Sequence, residues 1–241
     1  MNAHLLPPVD PRRLPDGQAV WVEALRARYA ALLRSLSGAE RALYIQVWRQ
    51  LARHKSPVVA RSFLSVGQNT AQQIFSELNS RSLLWFDNDL HAVLQCPPFS
   101  ALHTPHEVKA FGWERAFVTS FADIPLTLLI YGPNVWLEAA SCCPRSGEKL
   151  AFRIQMDEAY RLRWEAPSNE WRVWIPLPGG ESPDIYQAFH RLRPRLNAFY
   201  TPKDLDTHQQ YQGGQAGVVY NLEQALYLGQ CLLQAGSSAF V

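Results

Sequence analysis

The sequence lacks any apolar run approaching ~18–20 residues, the length a bilayer-spanning helix needs, so nothing in it reads as a membrane span. Its opening stretch, Met1 to Asp10, has no basic head and no long apolar core, and so does not read as a secretory signal peptide. Net charge is small, +2 over 241 residues, and the charges are scattered. A nucleic-acid binder usually shows a basic stripe, so that class is disfavoured. Cysteine is sparse. Cys96, Cys142, Cys143 and Cys231 give no disulfide spacing, and adjacent cysteines rarely pair with each other, which fits a reduced, cytoplasmic setting. Internal repeats and low-complexity tracts are absent. What the chain does have is 47% hydrophobic residues and eight tryptophans. That suffices for one large domain or two small ones with a core or pocket rich in aromatic surface.

Along the chain, residues 1–18 are proline-rich and read as a flexible arm. Val20, Ala24, Leu25, Leu32, Leu33 and Leu36 predict an amphipathic helix over 19–36. Ser37 and Glu40 form a capping box that opens a second helix. Ser56-Pro57 predicts a third helix ending at Gly67, and Gln68-Asn69-Thr70 opens a fourth. Two strands around Asp87-Asn88-Asp89 follow. Short helices followed by a hairpin make a winged-helix-like module over 19–96. Its recognition-type helix offers Gln68, Asn69, Gln72, Gln73 and Glu77 with no cation before Arg81. Phosphate contact needs cations, so a packing role fits it better than DNA binding. Residues 97–241 then read as a sheet domain. Strands are expected at 114–120, 135–140, 150–154 and 171–177, and helices at 124–131, 202–210 and 222–234.

The chemistry concentrates in Val118-Thr119-Ser120-Phe121-Ala122-Asp123-Ile124-Pro125-Leu126. A strand-like run ends at a small polar residue, an acid follows three positions later, and an apolar helix runs on to Gly132. At the start of an apolar helix the Asp123 carboxyl is expected to be desolvated and its pKa raised, which suits a proton donor or acceptor. Asp123 reads equally well as a helix N-cap, with Pro125 in the first turn and Ser120-x-x-Asp123 as a capping pair. Ser120 reads first as a hydroxyl contacting a substrate. As a nucleophile it needs a base, for which His103, His106, His190 and His208 are candidates. Cys142-Cys143 is either a soft-metal or redox pair, or a buried hairpin residue with an incidental neighbour. Cys96-x6-His103-x2-His106 holds metal-capable residues at a spacing that matches no standard zinc framework. Arg161, Arg163, Arg191, Arg193 and Arg195 form either a solvated face or a site for an anionic substrate.

These residues resemble the alkylmercury lyase (organomercurial lyase) family over roughly residues 38–235. There the segment reads Trp-Cys-x-x-Asp before an apolar helix. Ser120 stands at the cysteine position and Asp123 keeps the acid. The hairpin Glu138 to Glu148 is similar to the family's Ser-x-Cys-x-x-Thr-Gly hairpin, with Cys143 at its buried cysteine. Leu226-Tyr227-Leu228-Gly229-Gln230 is similar to its closing Gly-Leu-Gly helix. The resemblance implies an α+β fold with a winged-helix-like helical module packed on a mixed β-sheet domain with flanking helices. It also implies cleavage of carbon–mercury bonds by two thiolates and an aspartate.

The second cysteine should fall within Pro194 to Tyr200, where there is none, and a serine hydroxyl is too hard a ligand for mercury. The expectation is therefore a divergent member lacking the catalytic cysteine pair. It would be a cofactor-independent lyase or related proton-transfer enzyme acting on a small non-mercurial organic substrate. Asp123 would be its acid/base and Ser120 would replace the cysteine. Phe121, Phe199, Tyr200 and Trp113 would contact the substrate. No metal is expected beyond what Cys142 and Cys143 offer. The alternative is a non-catalytic metal- or ligand-binding protein, regulatory through the winged-helix module. A small molecule is the expected partner, with no membrane, and a homodimer is left open.

Overall fold

The computed structural model describes residues 3–10, 13, 27, 30–167, 170–176, 196–211 and 217–240. Most of the helix expected over 19–36 lies outside this set, as do His190, Arg191, Arg193, Arg195 and Gly213-Gly214. Of the expected arm, His4–Leu5 forms strand β1, paired antiparallel with a strand at Leu162–Glu165. Leu6 is buried behind it and donates its N–H to the Leu162 carbonyl at 2.8 Å.

Helix α1 spans Gly38–His54 and opens on the capping box read from the sequence. The Glu40 N–H donates to Ser37 Oγ at 3.2 Å, and the Ser37 N–H donates to Glu40 Oε2 at 2.7 Å. The helix buries Leu43, Tyr44, Val47, Trp48 and Leu51, spaced three and four apart on one face. Ser37→Ala removes one partner of the box, and thermal unfolding should report a loss of about 1 kcal/mol. No change in midpoint would show the box to be idle.

The helix expected from Ser56 to Gly67 does not form. Val58–Val59 is strand β2, followed by a 3-10 turn at Ala60–Ser62. Two adjacent β-branched residues after Pro57 favour extended backbone, and β2 pairs with strand β4 (Ala92–Cys96). Gly67, at φ +85°, leads into helix α2 (Gln68–Ser80) instead of ending an earlier one. Strand β3 (Trp85–Asp87) also pairs with β4. The Asp87 carboxylate closes their turn by accepting the N–H groups of Asp89 and Leu90, each at 2.9 Å.

The chain continues through β5 (Phe99–Ser100), β6 (His106–Ala110), β7 (Ala116–Val118), the short helix α3 (Leu128–Tyr131), β8 (Leu137–Cys142), β9 (Lys149–Met156) and β10 (Leu162–Glu165). These join β1 to β4 in one ten-stranded sheet, ordered β1-β10-β9-β8-β6-β7-β5-β4-β2, with β3 on β4. Among the described residues every pairing in it is antiparallel, where a mixed sheet was expected. Hairpins and short links join most neighbouring strands, and parallel neighbours would need long crossovers. The sheet runs unbroken across residue 96, since Cys96 pairs with Phe99. A second sheet, β12-β11-β13, is built from β11 (Arg172–Pro176), β12 (Asn197–Phe199) and β13 (Gly217–Asn221), with helix α4 (Pro202–Tyr211) against it.

Helix α5 (Leu222–Phe240) packs on the turns before α3 and on β10, β11 and β13. It also fastens the start of the chain. Gln230 accepts the Leu162 N–H at 2.7 Å and donates to the Pro7 carbonyl at 2.8 Å. The Tyr227 hydroxyl is shared by the Pro8 and Asp10 carbonyls and also receives the Asp10 N–H. No helix of the described residues is long and apolar enough to cross a membrane.

Candidate functional site

Strand β7 lies inside the large sheet, between β5 and β6. At its end the Thr119 N–H donates to the Pro98 carbonyl at 2.9 Å, and the chain enters two successive 3-10 turns, Phe121–Asp123 and Pro125–Thr127. The single helix expected over 124–131 is thus two tight turns and the four-residue α3. Neither turn has a side-chain cap. The Asp123 carboxylate turns back on the strand end. Its Oδ2 accepts the Ser120 hydroxyl and the Thr119 hydroxyl, each at 2.7 Å. Ser120 and Asp123 are both 0% exposed. The hydroxyl of Ser120 therefore donates to the acid and caps no backbone N–H.

A second polar set lies against the same turn. His106 Nδ1 is 2.9 Å from Ser141 Oγ, and the two residues sit opposite each other on β6 and β8. The Leu196 carbonyl faces the same turn and accepts the Phe121 N–H at 3.3 Å. Complete burial holds the imidazole far below its usual range, at about 3, against the opposing pull of that carbonyl. The ring is therefore neutral at ordinary pH. Nδ1 shares a hydrogen bond with the Ser141 hydroxyl, in which the ring's tautomer sets which group donates. Phe121 stands edge-on to His106 at 6.1 Å and tilted against Phe152 at 5.8 Å.

Helix α5 closes the site from above. A Cβ added at Gly229 would lie 2.5 Å from Pro125 Cγ and 3.2 Å from the Ala122 carbonyl. The glycine allows the helix to touch the Asp123 turn. Gly229→Ala should cost about 1–3 kcal/mol through overpacking, measured by urea unfolding. A variant as stable as the natural sequence would mean that helix and turn separate freely.

Of the expected substrate contacts, Phe121 lies in the Asp123 turn itself. Phe199 is fully buried with Cys143, Trp174 and Leu205, while the adjacent Tyr200 is 47% exposed. Trp113 sits in the turn at the opposite end of the β6–β7 hairpin, edge-on to Tyr131 at 5.0 Å and under Arg53. Cys142 is exposed and Cys143 buried, both as free thiols. Cys96 is a buried thiol too, pushed well above its usual range by that burial. Among the described residues no three His, Cys, Asp or Glu side chains gather as a metal site. Arg161 is engaged with Asp157 at 2.9 Å. His103 lies against Phe117, and His208 against Phe199 and Trp174.

Sequence reasoning missed Thr119, whose position four residues before Asp123 was the available signal. It also missed the His106–Ser141 pair, which local spacing could not reveal.

No family profile and no curated protein matches this chain. Ten chains of solved structures do. One is the crystal structure of the mercury-bound form of MerB2, with a TM-score of 0.60 and 16% sequence identity over 88% of this chain and 98% of that one. At that identity the likeness is one of fold: a MerB-like mixture of α and β structure built on an antiparallel sheet.

Proposed function

We propose that this chain is an enzyme built on the alkylmercury lyase fold that moves a proton in a small, non-mercurial organic molecule, as a cofactor-independent lyase or a close relative of one. The observation that carries this reading is the wholly buried Asp123 carboxylate with two hydroxyls converging on one oxygen. Carboxylates are costly to bury, and this one terminates no helix. Support comes from the resemblance of the surrounding segment to the family's active-site segment, and from a fold shared with a protein whose structure holds mercury. Ser120 in the cysteine position and a cysteine-free Leu196 to Tyr200 stretch remove the soft ligands mercury needs.

In this reading Asp123 takes up or releases the substrate proton. When the carboxyl carries the proton, one of the two hydroxyls turns from donor to acceptor, so the pair follows the charge without leaving the site. Phe121, Phe199 and Tyr200 give the substrate apolar and aromatic contact, and Trp113, at the far end of the β6–β7 hairpin, takes no part. The setting proposed is a reduced, cytoplasmic one, which suits four free cysteines.

The test starts with native mass spectrometry of the purified protein, to identify any retained organic ligand as a lead to the substrate. On that substrate Asp123→Asn should lower turnover by about 10²–10⁴-fold with the circular dichroism spectrum unchanged. Undiminished turnover would end the proposal.

The complete burial of Ser120 and Asp123 favours one second reading, a non-catalytic ligand-binding protein that reports through the winged-helix module. That reading predicts a tightly held ligand, no turnover, and a partner contact that changes with occupancy.

A further inference from the structure

Two hydroxyls reach Asp123 Oδ2, each at 2.7 Å, but they are not equivalent. Strand β5 pairs with β7 so that Phe99 faces Val118. That register sets the Pro98 carbonyl against the next residue of the site, Thr119. The carbonyl accepts the Thr119 N–H at 2.9 Å and lies 3.3 Å from Thr119 Oγ1. Pro98 and Thr119 are both buried. The Thr119 hydroxyl therefore stands between two acceptors, a carboxylate and a backbone carbonyl. A hydroxyl holds one proton and two lone pairs, and donates to one acceptor at a time. The shorter contact has the length of a formed O–H···O bond and the longer one exceeds it. The proton thus lies toward the carboxylate when that group is charged. Among the described residues the Ser120 hydroxyl has Asp123 Oδ2 as its one partner.

We propose that Thr119 is a positioning residue of the Asp123 site and acts as a two-way switch. Its hydroxyl donates to the charged carboxylate and turns to the Pro98 carbonyl when Asp123 takes the substrate proton. This rests on the reading of Asp123 as the group that exchanges a proton with the substrate. In that step the substrate's bond to hydrogen breaks, its electron pair stays on the substrate, and an O–H bond forms on Asp123 Oδ2. The new O–H needs an acceptor, because a buried polar group without a partner is costly. Thr119 Oγ1 offers a lone pair once its own hydrogen has swung to Pro98. No proton leaves Thr119. Ser120, with no second acceptor among the described residues, keeps one direction in both states. The branched Thr119 side chain has few rotamers, and its N–H is tied to the same carbonyl. The oxygen therefore stays in place while the hydrogen turns, and the hydrogen turns back when Asp123 gives up its proton.

The test follows the backbone carbonyl and needs no substrate. In the full chain labelled with carbon-13, NMR reads the Asp123 carboxyl and the Pro98 carbonyl through one acid titration, with Asp123→Asn assigning the carboxyl. A hydroxyl that swings onto Pro98 shifts the carbonyl signal, so the two signals should move together in the natural sequence. Thr119→Val keeps the side-chain shape and removes the hydroxyl. The Pro98 response should then be lost while the Asp123 signal still titrates. Thr119→Ser should restore the response, and Ser120→Ala should leave it in place. A threonine that serves packing alone would rank valine above serine, the opposite order. A Pro98 signal that stays still while Asp123 titrates would overturn the switch and leave the reading of Asp123 standing. So would a response that survives Thr119→Val or disappears in Ser120→Ala. An Asp123 carboxyl that takes up no proton before the chain unfolds would overturn that reading, and the switch with it. Were Thr119→Val not to fold, the natural sequence and Ser120→Ala decide the matter. A Pro98 response kept in Ser120→Ala supports the switch, and its loss overturns it.

Discussion

Stability measured by urea unfolding is expected to fall by on the order of 4–5 kcal/mol between pH 6.5 and about 3 on account of His106 alone. In the folded chain burial depresses this imidazole from 6.5 to about 3. Between those values the unfolded chain binds a proton that the folded chain refuses. The unfolded state is therefore favoured as the pH drops. The contribution is fully present above pH 6.5 and is lost as the pH falls through the folded value. Set against a typical stability of 5–15 kcal/mol, this is a large share.

Two carboxylates also lose stability in acid. Burial pushes Asp157 and Glu40 upward, but hydrogen bonds and neighbouring arginines outweigh it and hold both below their ordinary values of 3.8 and 4.5. Their losses begin lower, so the window from about pH 6.5 to 4.5 isolates histidine. His208, lowered by burial and then by Arg145, contributes a weaker slope of the same sign. His106→Gln should flatten most of the slope in that window. A slope equal to that of the natural sequence would show that the imidazole is hydrated in solution.

Gly217→Ala should cost on the order of 3 kcal/mol, at the upper end of overpacking. A methyl built at Gly217 would overlap the indole nitrogen of Trp174. Trp174 is fully buried among Cys143, Phe199 and Leu205, with the His208 ring edge-on at 5.5 Å. It has no room to retreat, and it shares β11 with Val173, which pairs with both Ala198 and Tyr220. The strain has to be relieved by moving β13 or expelling the indole. Urea unfolding followed by tryptophan emission checks both, since an expelled indole shifts to the red. A loss below about 0.5 kcal/mol with unchanged emission would refute this account of the small sheet.

What the sequence showed and what it hid divide along chain separation. The capping box of Ser37 and Glu40, the Asp87 turn, and the helices after Pro202 and Leu222 were legible because their signals lie within four residues. Ser120 and Asp123 were legible as a pair for the same reason, three residues apart. The direction of their hydrogen bond was not, because the same spacing serves a capping pair and a hydroxyl-to-acid contact. Pro57 was misread because proline opens helices and extended segments alike; Val58 and Val59, paired with β4, decided it. His106 and Ser141 are 35 positions apart, and Leu196 is farther still. Only the register of β6 on β8 brings the first two together, and no periodicity announces it.

The clasp of Gln230 and Tyr227 on Pro7, Pro8 and Asp10 also bears on how the chain is made. Pro7 and Gln230 are 223 positions apart, so the first ten residues leave the ribosome long before their anchor exists. Until α5 emerges, β10 presents a bare edge beside β9, and β1 has only a two-residue ladder with which to cover it. Unpaired edges recruit other chains. A nascent chain halted before residue 222 should therefore aggregate more readily than the finished one, and a supplied α5 peptide should suppress that aggregation.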